Sequence, residues 1–203
     1  MKLGIKSLVK RRTEIEKSVI EEIDYVVKLI REIASDENNT DITGKINLVV
    51  SIESELEKNY QHFLEVIEQE YVTPFYWEEI FDLYIAIKKI FSLLTLFINK
   101  RNMVEDSLNL SSFFVIQDRV MENIKEFLTE YVRNRKYVNE LLKNNRYEIK
   151  ELLKNYLEIV AKNLMERENY GIKLKVIDVL ENIVDTDERI HDILMKIMIA
   201  SSL

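Results

Sequence analysis

Cysteine is absent from the sequence, which removes disulfides, thiolate metal sites and thiol nucleophiles together. Proline occurs once, at Pro74, and glycine three times, at Gly4, Gly44 and Gly171. The residues that punctuate sheets, hairpins and long loops are therefore nearly missing, and the chain is expected to be helical. A basic stripe is also lacking. The net charge is −7, and the short Lys10, Arg11, Arg12 run is followed at once by Glu14 and Glu16, the pattern of a solvated helix face. No nucleic-acid partner is expected from such a distribution. The longest apolar stretch, Ile90 to Ile98, lies between Lys88-Lys89 and Lys100-Arg101. It falls well short of the roughly 20 residues that a membrane span needs and reads as a buried helix. Charges recur from Lys2 onward where a signal peptide would be apolar, so a cytoplasmic protein, not embedded in a membrane, is expected.

What is present is 47% hydrophobic and 32% charged residues in helical periodicity. Ile15, Val19, Ile23, Val26, Ile30 and Ile33 recur at steps of three and four, the stripe of a core-facing helix over about residues 6–34. The polar run Ser35 to Gly44 reads as the first loop. A second helix over about 45–70 follows. Thr73 and Pro74 suit the cap and first position of a third, which runs to about 102 with Glu78 and Glu79 near the positive end of its dipole. A polar stretch from Glu105 to Ser112 falls mid-chain and marks a boundary between residues 1–104 and 105–203. Three more helices are expected over about 113–133, 136–168 and 173–201, with a turn near Asn134 and a break at Asn169 to Gly171. The expected architecture is all-α: six long helices as two tandem three-helix bundles in one compact unit. A single continuous helical array is the alternative.

Several apolar rows contain charges. The second helix offers Ile46, Val50, Glu53, Glu57, Tyr60, Leu64, Ile67 and Tyr71, and the third Trp77, Phe81, Tyr84, Lys88, Phe91, Thr95 and Ile98. The fifth offers Leu142, Arg146, Ile149, Leu153, Tyr156 and Val160. The sixth carries Glu181, Asp185 and Glu188 beside Ile177, Val184 and His191. Buried charges need partners, because losing hydration costs several kcal/mol per ion. Carboxylates at i,i+4 share one helix face and can share a cation, although such spacing is common on solvated helices.

The order of an acidic helix, then Tyr71-Val72-Thr73-Pro74-Phe75, then Glu78-Glu79-Ile80, resembles the PhoU-like phosphate-uptake regulators. The nearest branch is the one associated with inorganic phosphate transporters. Leu180-Glu181-x-x-x-Asp185-x-x-Glu188 is similar to the sixth-helix signature of that family, whereas Trp77 stands where an arginine is usual. The resemblance implies acidic metal motifs on the second and third helices of each half. Of these, Glu53 and Glu57 remain in the first half and Glu181 and Asp185 in the second, with Glu188 beside them. Lys88 with Ser92, and Leu142 with Arg146, replace the other acids. The resulting expectation is a degenerate member that holds no metal and no cofactor, with Lys88 answering Glu53 and Glu57, and Arg146 answering Glu181 and Asp185.

No phosphate loop, nucleophile elbow or histidine-carboxylate pair at diagnostic spacing is found in this reading, so no catalysis is expected. His62 and His191 are expected to be ordinary packing or surface histidines, and Trp77 an interhelical anchor. The row Ile190, Leu194, Ile197 and Met198 fits either core or subunit contact. The expected function is a non-enzymatic accessory protein of phosphate uptake. Its partner would be an inorganic phosphate transporter or another regulatory protein, met at the inner face of the membrane. The alternatives are a helical-bundle carboxylate metal protein, which calls for Glu-x-x-His pairs that the chain is expected to lack, and a structural homodimer unrelated to phosphate.

Overall fold

The structure is a computed structural model that describes residues 2–35, 42–68, 77–101, 110–164 and 170–200. Six helices account for these residues: α1 (Lys2–Ser35), α2 (Ile42–Glu68), α3 (Trp77–Arg101), α4 (Ser111–Glu130), α5 (Arg135–Leu164) and α6 (Tyr170–Ala200). No strand occurs among the described residues, and the fold is all-α as the scarcity of glycine and proline requires. The expected helix ends agree to within a few residues. The Thr73-Pro74 turn and the boundary near residue 104 lie outside the described residues.

The turn between α4 and α5 has a local cause. Asn134 accepts the backbone N–H of Tyr137 on its side-chain oxygen at 3.2 Å, while its carbonyl accepts from Val138 at 3.0 Å. It is therefore the N-cap that starts α5 without help from glycine or proline. At α3, Glu78 and Glu79 occupy the first turn and Lys100 and Arg101 the last, so charges oppose the helix dipole favourably at both ends.

Each half is a set of three helices, α1–α3 and α4–α6, and the two sets share one apolar core to which all six contribute. Between the halves α1 lies along α4 and α3 along α6, contacts as extensive as those inside each half. Phe97 of α3 meets Phe114 of α4 edge to face, with centroids 4.8 Å apart, in the preferred aromatic geometry. On the outside of the α1–α4 seam Arg31 bonds Asp118 at 2.9 Å and Glu122 at 2.7 Å, and Lys125 pairs with Asp24. These pairs run antiparallel along the two helices and fix their register. Exposed as they are, each contributes at most about 1 kcal/mol. Ile190, Leu194 and Ile197 are core, with Met198 packed against them, so that row needs no second subunit.

Candidate functional site

The predicted acidic pairs lie on the surface. Glu53 and Glu57 are exposed on α2, as are Glu181, Asp185 and Glu188 on α6. The expectation that they sit inside the apolar seams is corrected by one residue throughout. The buried row of α2 is Lys45, Val49, Ile52, Leu56, Asn59, Phe63 and Val66, each the immediate predecessor of a residue in the expected row. One residue is about 100° of helix rotation, enough to turn a face from core to solvent. Ile46 and Val50, counted as core, are 43% and 61% exposed.

The expected cation partners are not found either. Among the described residues no ion pair joins Lys88 to Glu53 or Glu57, or Arg146 to Glu181 or Asp185. Lys88 is half-buried, and its Nζ stands 4.1 Å from the centre of the Tyr60 ring, a cation–π contact. Glu57 accepts instead from Gln61 on its own helix at 3.0 Å. Glu181 acts instead on the Tyr156 phenol of α5. Burial first, and then Glu181, Asp178 and Asp185, push that phenol up to about 12.

Arg146 faces other groups. With Lys150 it forms the α5 side of a groove of about 450 Å³, whose α6 side is Glu188 and Asp192, with His191 between. Asn145 orients that histidine. Its Nδ2 donates to the Val120 carbonyl at 3.3 Å, so its Oδ1 is the atom 3.1 Å from His191 Nδ1. Nδ1 must then carry the hydrogen, which leaves the lone pair on Nε2. Burial first, then Arg146, hold the imidazole below its ordinary range, against the opposing pull of Asp192, so it is neutral at pH 7. Glu188 and His191 form a Glu-x-x-His step on α6, which corrects the expectation that the chain has no such pair. Even so, among the described residues no three His, Asp or Glu side chains converge as a metal ion requires.

The buried polar residues were missed from sequence. In the first half Asn59 of α2 donates to the Ser18 carbonyl of α1 at 2.8 Å and lies 3.4 Å from Glu22 Oε2, which also accepts from the Tyr84 hydroxyl at 2.8 Å. In the second half Asn145 of α5 makes the corresponding bond to the α4 backbone, and Gln117 of α4 donates to Asp187 of α6 at 3.1 Å. Burial raises the Glu22 carboxyl to about 7 against the lowering pull of Tyr84, Asn59 and Lys88, and raises Asp187 well above the usual carboxylate range. A signal was available. Glu22 lies between Val19 and Val26, and Asp187 between Ile183 and Ile190, inside apolar arcs at helical spacing.

Compared with family models and with curated proteins, the chain matches none.

Proposed function

We propose that this chain is a non-enzymatic accessory protein of phosphate uptake that acts by contact between helix surfaces. The observation that carries the contact reading is the outer face of α2, where exposed Ile46 and Val50 stand beside exposed Glu53 and Glu57. A mixed face of apolar and acidic groups suits a protein surface better than a small molecule. The phosphate part rests on the resemblance carried by Thr73-Pro74, Glu78 to Ile80 and Leu180 to Glu188. On this reading the partner is an inorganic phosphate transporter, met from the cytoplasmic side. Among the described residues no helix is long and apolar enough to cross a membrane itself.

The test is affinity capture from native membranes with the full chain as bait. Enrichment of an inorganic phosphate transporter, abolished by Val50→Glu at unchanged thermal midpoint, is expected. Capture that is indifferent to Val50→Glu would remove the α2 face from the argument, and self-association without a transporter would favour a structural dimer. The second reading, a carboxylate metal protein, draws on the neutral His191 beside Glu188 and Asp192. Elemental analysis of the purified protein decides it, since stoichiometric manganese, iron or zinc that is lost in His191→Ala would establish that reading.

A further inference from the structure

Among the described residues each half buries one carboxyl group against one carboxamide, and both pairings are incomplete in the same way. In the first half Glu22 Oε2 accepts from Tyr84 and Asn59, while Glu22 Oε1 and Asn59 Oδ1 are both buried without a donor. In the second, Asp187 Oδ1 accepts from Gln117 Nε2, while Asp187 Oδ2 and Gln117 Oε1 are both buried without one. Asn59 cannot turn its amide to repair this, because its Nδ2 also donates to the Ser18 carbonyl, which only accepts. A carboxylate in either place leaves two acceptors without a donor inside the core. A carboxylic acid supplies one O–H, and that single hydrogen satisfies both leftover oxygens of its pair.

We infer that Glu22 and Asp187 are neutral carboxylic acids in the folded protein, each donating to the carboxamide oxygen it faces, and that the Glu22 proton is a pH-sensitive latch on α2. The surroundings of the two groups differ. Glu22 is reached from α3 by Lys88 and Tyr84 and from α2 by Asn59, with Glu57 and Tyr60 acting on Tyr84 behind it. On α1 itself, Glu22 shares the neighbourhood of Tyr25 with Glu21, and Glu55 and Lys58 of α2 also act on that ring. Toward α4 the charges are paired among themselves, Arg31 with Asp118 and Glu122, and Lys125 with Asp24. Burial pushes Glu22 up, and Tyr84, Asn59 and then Lys88 pull it part of the way back, so its ionisation falls near neutral pH. Asp187 is fully enclosed, and Gln117 alone opposes its burial, which pushes it well above the usual carboxylate range. Loss of the Glu22 proton leaves two acceptors without a donor at the contact of α1 with α2, and α2 has little contact with α3 besides.

The experiment is amide hydrogen exchange on the full chain, corrected for intrinsic rates, with α5 as the internal reference. Protection of α2 relative to α5 is expected to fall about tenfold as pH rises from about 6 to 8. Glu22→Gln keeps the shape and supplies an N–H to Asn59 Oδ1, so the fall disappears in that variant. Infrared difference spectra give a second readout, a carboxylic-acid carbonyl band that bleaches through neutral pH and is missing in Glu22→Gln. An α2 fall of equal size in Glu22→Gln, or no such band in the wild type at acidic pH, would overturn the inference.

Discussion

α2 and α5 occupy matching places in the two halves but are attached differently. α5 packs along both α4 and α6, and Asn145 ties it to the α4 backbone and to His191. α2 packs along α1, yet meets α3 over little more than a stack of rings. There Phe63 lies on Tyr84 with centroids 4.2 Å apart, and Tyr60 and Phe81 continue the stack at 5.8 Å and 6.1 Å. A helix held along its length distributes its stability over many contacts. One that packs along a single neighbour and meets the other through a few rings depends more on each of those rings, and single changes there are correspondingly severe.

The sharpest way to break this comparison is to remove a ring. Phe63→Ala is expected to lower the unfolding free energy by about 3 to 5 kcal/mol in urea titration, whereas Ile149→Val on α5 costs about 1 kcal/mol. Equal losses would show that α2 is no more dependent on its stack than α5 on its length.

A pH series tests the acid beneath the stack. The folded carboxyl of Glu22 is raised from 4.5 to about 7, so its contribution is complete below pH 4.5 and is lost as pH rises toward 7. The difference amounts to about 3 kcal/mol, measured as wild type minus Glu22→Gln across that window. A parallel pair of curves would dismiss the assignment. Next come the two asparagines. Asn59→Ala removes the bonds to Glu22 and to the Ser18 carbonyl and leaves Glu22 only Tyr84, so it is expected to cost about 2 to 3 kcal/mol, against about 1 to 2 kcal/mol for Asn145→Ala, whose partner His191 stays near the groove. The smallest effect belongs to Lys88→Ala, about 1 kcal/mol by thermal melting, since its ammonium rests on an aromatic face and is not locked in a buried ion pair. A loss of 3 kcal/mol or more would restore the buried pair with Glu53 and Glu57.

The six helices, their approximate ends and the turn at Asn134 were legible in the sequence, because scarce glycine and proline with steady three-four spacing leave little else. The faces were not. In α2 two adjacent rows are both rich in apolar residues, and periodicity alone does not say which of them turns inward. The row that looked apolar contained Glu53, Glu57 and Tyr60, and the true core row holds Leu56 and Asn59 one step earlier. The same displacement separates Arg146 from the buried Asn145 and Glu188 from the buried Asp187. A charge inside an apolar row drew attention, whereas a neutral amide one residue away did not. The criterion that would have found the core polar groups is whether apolar residues stand three or four positions away on both sides, as they do around Glu22 and Asp187.

The lengthwise contacts of α1 with α4 and of α3 with α6 also govern the order in which the molecule can be completed during synthesis. When α3 leaves the ribosome, the face that it lays along α6 has nothing to meet until α4 and α5 have both followed. The first three helices thus emerge as an unfinished surface, and the nascent chain presents that surface to chaperones for as long as translation of the next two helices takes.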